Sequence, residues 1–262
     1  MFKIQQLWTA DAWKSQLSKA GLLDIDAVSQ RDFDWFEEPN KRRGGWSGVA
    51  RIVLNPKATI EQQSVVFLKI QQNHFYREPR KLFKKCLTFE REFDVLENVG
   101  KVSKCVPEVV LFAKWQNGSD VGSILITKAL DEWYPLREWI LGDNGLTPPD
   151  EPTFHRALDA IARCGREINT AGWVHLCFSA KHLFVKPEAD GSFSSCVIDF
   201  EKSRKHLRSN YRTMKDCSHF MRHTPNLTDS HKRHFLESYF QTNDFTPAQR
   251  KLIGKMRGAP AV

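Results

Sequence analysis

The most constraining stretch of the chain runs from His175 to Glu201. It reads His-Leu-Cys-Phe-Ser-Ala-Lys-His-Leu-Phe-Val, then a turn-rich segment, then Cys-Val-Ile-Asp-Phe-Glu. Between the two apolar runs lies Val185-Lys186-Pro187-Glu188-Ala189-Asp190-Gly191, with Pro187 and Gly191 as breakers. The pattern predicts two short strands joined by a turn. A helical pattern precedes it and ends in Asn169-Thr170-Ala171-Gly172-Trp173-Val174-His175. The order is therefore helix, glycine, a strand opening on His175, a turn, and an apolar strand ending in Asp199. A carboxylate at the end of an apolar strand is placed where side chains reach a cleft.

The 262 residues suffice for one large domain or two lobes, each with its own core. With 41% hydrophobic and 27% charged residues, the composition is globular and excludes a disordered chain. No run approaches the ~18–20 apolar residues of a membrane span. The opening Met-Phe-Lys-Ile-Gln-Gln-Leu-Trp lacks a signal-peptide core, so a cytosolic protein is expected. The six cysteines (86, 105, 164, 177, 196 and 217) include no C-x-x-C pair and are expected to be reduced, mostly buried thiols. The net charge of +8 suits solubility, or an anionic partner such as a nucleotide, a phosphorylated glycan or an anionic lipid. No nucleic-acid motif accompanies it, so no nucleic-acid partner is expected.

Residues 1–40 are expected to form a helical extension, since Trp13, Leu17 and Ala20 recur at roughly helical spacing. Next comes Lys41-Arg42-Arg43-Gly44-Gly45-Trp46-Ser47-Gly48-Val49, a glycine cluster feeding a β-branched run. Val65-Val66-Phe67-Leu68-Lys69-Ile70 is a second strand. Together they predict a hairpin with a glycine-rich entry. Such an entry serves a plain turn, or a close approach of backbone N–H groups to phosphate oxygens. Lys69 is a lone cation among apolar neighbours and needs a carboxylate or phosphate unless it snorkels. His74 to Lys85, with Arg77, Arg80, Lys81, Lys84 and Lys85, is either a solvated loop or a contact surface for an acidic substrate. Thr88 to Gly100 predicts a helix with Phe89, Phe93 and Leu96 on one face and Glu92 bordering it. Lys69 is the cation available to Glu92.

Two further strands, Val106–Ala113 and Gly122–Thr127, meet at Asn117-Gly118. Beyond residue 130 helices dominate: Leu136–Leu141, an amphipathic Thr153–Thr170, Met214–Arg222, His231–Thr242 and Pro247–Met256. Strands first and helices later predict an α+β chain. The expected division is an extension over 1–40, a strand-rich lobe over 41–130 and a helical lobe over 131–262.

Phosphoryl transfer needs a cradle over phosphates, a cation on them, a carboxylate holding Mg²⁺ and a group placing the acceptor hydroxyl. Gly44, Gly45 and Gly48, then Lys69 with Glu92, then Asp199, stand in that order. Taken singly, each is also a turn glycine, a snorkelling lysine, a surface glutamate or a strand-end aspartate. Arg43-Gly44-Gly45-Trp46-Ser47-Gly48-Val49, Phe89-Glu90-Arg91-Glu92-Phe93, Ala171-Gly172-Trp173-Val174-His175, Lys181-His182-Leu183-Phe184 and Ile198-Asp199-Phe200-Glu201-Lys202 together resemble the lipopolysaccharide core kinases of Gram-negative bacteria, the Kdo and heptose kinases. Within them the likeness is to an acid-inducible, InaA-like branch, and it covers about residues 35–240.

The resemblance implies a protein-kinase-like two-lobed fold. It also implies ATP and Mg²⁺ as cofactors and the lipopolysaccharide core glycolipid as partner, met in the cytoplasm or peripherally on the cytosolic face of the inner membrane. It assigns Gly44, Gly45, Gly48, Lys69 and Glu92 to nucleotide binding and Asp199, with His182, to the metal. It places His175, Cys177 and His182 in the catalytic loop, and makes Asp216 a structural tie between that loop and a following helix. The loop departs from the pattern H-R-D-x-x-x-x-N. Leu176 replaces the Arg, Cys177 the acceptor-orienting Asp, and His182 the Asn, the last as in the family. Cys177 is therefore either a weak substitute base or an inert thiol. A metal site on His175, Cys177 and His182 would have an unusual H-x-C-x₄-H spacing. The expected activity is ATP-dependent phosphorylation of a core sugar. The alternative is a kinase-shaped binding module that lacks the loop carboxylate.

Overall fold

The computed structural model describes residues 1–42, 44–78 and 84–262, without the side chains of Arg42, Glu61, Arg77, Glu78 and Lys84. Of the basic stretch after His74, Arg80 and Lys81 thus lie outside the described residues. So does Arg43 in the glycine motif. The chain forms two compact units, Met1–Glu97 with Glu108–Asp131, and Asn98–Pro107 with Glu132–Val262.

The first unit contains strand β1 (Phe2–Thr9), helices α1 (Lys14–Lys19) and α2 (Ile25–Gln30), and strands β2 (Asn40–Arg42), β3 (Gly45–Val53), β4 (Val65–Gln72), β5 (Phe75–Glu78) and β6 (Lys84–Leu87). Helix α3 (Thr88–Gly100) starts in it, and strands β7 (Val109–Asn117) and β8 (Asp120–Lys128) complete it. Six strands form one antiparallel sheet in the order β1-β7-β8-β4-β3-β2. Residues 1–40 are thus not simply a helical extension. β1 pairs with β7 from Phe2↔Asn117 to Thr9↔Leu111. It is an edge strand with most side chains exposed. Its backbone ladder holds it in the sheet, so it has no strict apolar alternation to read.

Leu68, Ile70, Ile124 and Ile126 from β4 and β8 are buried with Leu17, Ile25 and Val28 from α1 and α2. Two of the three motif glycines are used inside this packing. A Cβ on Gly48 would lie 2.6 Å from the Trp35 ring, and one on Gly45 would lie 2.5 Å from the Asn73 carbonyl oxygen. Gly44 sits in the β2–β3 connection at φ +77°, with open space around its Cβ direction among the described residues.

The second unit begins with Asn98–Pro107. It continues through β9 (Tyr134–Pro135), α4 (Leu136–Leu141), α5 (Glu151–Thr170), β10 (Trp173–Val174), β11 (Leu183–Pro187), β12 (Phe193–Val197) and β13 (Arg204–Lys205). Helices α6 (Ser209–His223), α7 (Asp229–Phe240) and α8 (Pro247–Ile253) close it. Buried Phe154, Leu158, Ile161 and Ile168 line one face of α5. The β11–β12 hairpin runs from Leu183↔Val197 to Pro187↔Phe193, so β11 continues through Val185-Lys186-Pro187, and the turn is shorter than the composition predicts. β10 ends before His175, which lies in a loop rather than opening a strand. The cause is a buried carboxylate described below. All six cysteines are buried thiols. Among the described residues no helix is long and apolar enough to cross a membrane.

Candidate active site

Lys69 and Glu92 come together as their surroundings predict. The Lys69 ammonium lies 2.8 and 3.0 Å from the two Glu92 carboxylate oxygens. Glu92 is almost completely buried on α3 and Lys69 is mostly buried on β4. The Phe89 ring lies 5.7 Å from the same ammonium. A second contact fixes the helix against the strand. The Thr88 hydroxyl is turned to His74, 3.2 Å from Nδ1. Buried Gln71 caps the first N–H groups of α3. With its amide oxygen turned to the helix, it accepts from Phe89 N at 2.8 Å, Thr88 N at 3.2 Å and the Ser123 hydroxyl at 2.8 Å. Gln71 lies two residues after Lys69, on the same face of β4. That period was the available signal, and sequence reasoning did not use it.

Removing one partner of a buried pair leaves the other charge uncompensated, which costs about 3–5 kcal/mol when burial is complete. Lys69 keeps some solvent, so Glu92→Ala is expected to cost about 2–3 kcal/mol in urea unfolding, below the range for complete burial. The double variant Lys69→Met/Glu92→Leu should recover most of it, because it removes both charges. Equal destabilisation in the single and double variants would mean that the pair contributes only packing.

The second unit carries the loop residues. Buried Asp216, on α6, accepts hydrogen bonds from His175 N (2.9 Å), Leu176 N (2.9 Å) and Asn169 Nδ2 (2.8 Å). These contacts pull the chain out of extended geometry, and Leu176 takes φ +68°. Such a conformation is costly for a non-glycine residue and persists only when its surroundings impose it. Asn169 in turn donates to Trp173 O at 3.1 Å and accepts from the Tyr239 hydroxyl at 2.8 Å. Burial raises the Asp216 carboxyl to a pKa of about 6, against the pull of its three hydrogen bonds.

His175 is fully buried with both ring nitrogens committed. Cys177 N donates to Nδ1 at 3.2 Å, so Nε2 carries the proton and donates to Ile198 O at 3.0 Å. Burial holds its pKa down to about 3, which keeps the ring neutral. His175 therefore ties the loop to the strand that leads into Asp199; it is placed to position the loop rather than to transfer a proton. It also has no nitrogen left to ligate a metal, so the arrangement does not support an H-x-C-x₄-H site.

His182 Nδ1 lies 2.8 Å from Cys177 O, an acceptor only, so Nδ1 is protonated. In the neutral ring Nε2 then presents a lone pair, 3.3 Å from Asp199 Oδ2. Asp199 has φ +68° and stays about a third exposed. A carboxylate oxygen and an imidazole lone pair at this spacing fit two positions on a divalent cation that keeps water or phosphate oxygens in the rest of its shell. The Cys177 thiol is buried, and burial raises its pKa, opposed chiefly by nearby Lys202. It is a neutral thiol at neutral pH. Lys202 stands inside a motif quoted above, yet its neighbourhood to Cys177 was not legible from spacing.

A Lys–Glu pair joining strand and helix in one unit, and a loop, a hairpin and an aspartate tied together in the other, define an α+β protein-kinase-like fold. The chain belongs to the lipopolysaccharide kinase (Kdo/WaaP) family, whose model matches residues 26–239. It is 26% identical over 175 residues to Protein InaA of Escherichia coli (strain K12), covering 67% of this chain and 76% of that protein. Among solved structures it is similar to WaaP in complex with acyl carrier protein. That likeness has a TM-score of 0.62 and 18% identity, and covers 95% of this chain and 92% of that chain.

Proposed function

We propose that this chain is an ATP-dependent kinase that phosphorylates a sugar hydroxyl of the lipopolysaccharide inner core. The observation that carries the reading is the Lys69–Glu92 pair at 2.8 Å, a mostly buried cation on a sheet strand held by a carboxylate on α3. In this role the Lys69 ammonium binds nucleotide phosphate oxygens, and Glu92 and Gln71 fix its position. Gly44, with open space around it, is the motif glycine best suited to a backbone contact with phosphate; Gly45 and Gly48 serve the sheet. Asp199 and His182 Nε2 would hold Mg²⁺. Bound there, the ion supplies neutralisation of charge on the transferred phosphoryl group. The acceptor oxygen attacks phosphorus as the bond to the ADP oxygen breaks. The acceptor's proton leaves late in a loose transition state, to the transferred phosphate or to water. The core glycolipid brings the protein to the cytosolic face of the inner membrane.

A second reading rests on Cys177. Its thiol is protonated and buried where a base would stand, so the chain is alternatively a nucleotide- or glycan-binding module that has lost its base. General-base help is typically worth roughly 10²–10⁴-fold. The test compares wild type, Cys177→Ala and Cys177→Asp for phosphate transfer from ATP to purified core glycolipid. Wild type is expected to turn over slowly, Cys177→Ala to match it, and Cys177→Asp to gain about 10²-fold, the low end of that range. Transfer seen only in Cys177→Asp supports the binding module. Absence of Mg·ATP binding in all three sinks the kinase reading and leaves only a glycan-binding module.

A further inference from the structure

We propose that Glu151, His155 and His231 form a zinc-class transition-metal site that joins the first turns of α5 and α7. Glu151 opens α5 and His155 lies one turn on, at i+4 on the same face. His231 comes from the first turn of α7. One ligand atom from each side chain can be chosen so that all lie within 4.8 Å of one another. His231 Nε2 is 2.9 Å from both Glu151 oxygens, and His155 Nε2 is 3.3 Å from Glu151 Oε1. Metal bonds of about 2.0–2.1 Å at tetrahedral angles place ligand atoms about 3.3–3.4 Å apart, so the two Glu151 distances need little adjustment and the histidine nitrogens close from no more than 4.8 Å.

The second observation is His155 itself. Its Nε2 is buried and makes no hydrogen bond among the described residues, although it faces a carboxylate. A metal ion would satisfy it. Its ring stacks on His234 at 4.3 Å and 9° between planes, and His234 Nε2 lies 2.8 Å from Asp159 Oδ1. That outer layer fixes the ring's orientation, as partners around metal ligands do. Two imidazoles and one carboxylate select Zn²⁺, Co²⁺ or Ni²⁺ over Mg²⁺ or Ca²⁺. Glu151 is largely exposed, which leaves the fourth position to water.

Binding has one internal cost. Thr228 N donates to His231 Nδ1 at 3.2 Å as part of the α7 capping box, which puts the ring proton on Nε2. Ligation through Nε2 moves that proton to Nδ1 and gives up this long bond. Neutralisation of Glu151 and the filled valence of His155 offset the loss. The site is a clamp between two helices of one unit, separate from Asp199 and His182, and it needs no nucleotide.

The test titrates Zn²⁺ into the nucleotide-free full-length protein by calorimetry and records the visible spectrum with Co²⁺. Asp199→Ala removes the other candidate metal ligand. His155→Ala and Glu151→Gln are made in that background and in wild type, so a folding defect of Asp199→Ala leaves the wild-type comparison intact. One zinc equivalent is expected to persist in Asp199→Ala and to weaken at least tenfold when His155→Ala or Glu151→Gln is added. Tetrahedral Co²⁺ absorption should disappear with it, and excess Mg²⁺ should not compete. Zinc affinity unchanged by His155→Ala, or no saturable zinc binding in wild type, overturns the proposal. Loss of kinase activity bears on neither outcome.

Discussion

Asp216→Ala is expected to lower the free energy of unfolding by about 3–5 kcal/mol, measured by urea denaturation. The carboxylate is fully buried and accepts from two backbone N–H groups and one amide. Each buried donor left without a partner costs about 1–3 kcal/mol. One of them belongs to Leu176, whose positive φ then has nothing to hold it. The pH dependence separates this network from ordinary packing. His175 has a pKa of about 3 in the fold against 6.5 otherwise, so its contribution is fully present above pH 6.5 and declines toward pH 3. Each pH unit in that window costs about 1.4 kcal/mol.

Asp216 runs the opposite way. Its pKa is raised from 3.8 to about 6, so ionisation favours unfolding. Its contribution is fully present below 3.8 and is lost as pH rises through 6. Between about pH 4 and 6 the two slopes cancel, and wild-type stability should be flat as far as these groups set it. Asp216→Asn keeps the shape and removes the titration. Its stability should therefore fall by roughly 3 kcal/mol from pH 6.5 to 4, the uncovered His175 slope. Parallel profiles for wild type and Asp216→Asn would defeat the account.

The part of the candidate site that was legible in the sequence has one property: a charged residue stands among apolar neighbours that leave it little solvent. Lys69 in a strand and Glu92 bordering a helix face each demanded a partner, and each is the other's. Asp199 was read from its place after an apolar strand, and it lies two residues past that strand, about a third exposed. What escaped was whatever depends on a polar residue's partner being backbone. Gln71 caps α3 through N–H groups that no pattern of side chains reveals. Asn169 reads as one more polar residue near a helix end, yet it links Asp216, Trp173 and Tyr239. His175 resembled a catalytic residue by motif, and its role turned on which neighbour each ring nitrogen meets. At the level of fold, β1 escaped because an edge strand is secured by its ladder, and Gly48 because Trp35 lies 13 residues away in the chain.

Asp199→Ala is expected to weaken Mg·ATP far more than metal-free ATP, and to lower any transfer rate by roughly 10³-fold, since a catalytic metal supplies several kcal/mol of transition-state stabilisation. On the proposed reading the carboxylate acts through the ion. It lies 3.3 Å from His182 Nε2, and no third His, Cys, Asp or Glu ligand completes a cluster there among the described residues. The protein thus offers few ligands, and phosphate oxygens and water fill the rest, which makes nucleotide and metal affinity interdependent. Backbone strain must be kept out of the comparison. Asp199 holds φ +68°, which alanine tolerates poorly at a cost of about 1–2 kcal/mol, whereas asparagine tolerates it better. Asp199→Asn therefore serves beside Asp199→Ala: it keeps the conformation and one oxygen while losing the charge. The expected order of Mg·ATP affinity is wild type, then Asn, then Ala, with metal-free ATP nearly constant across the three. If metal-free and metal-bound nucleotide weaken equally in Asp199→Asn, the carboxylate is shaping the loop rather than holding an ion, and the metal assignment of Asp199 and His182 fails.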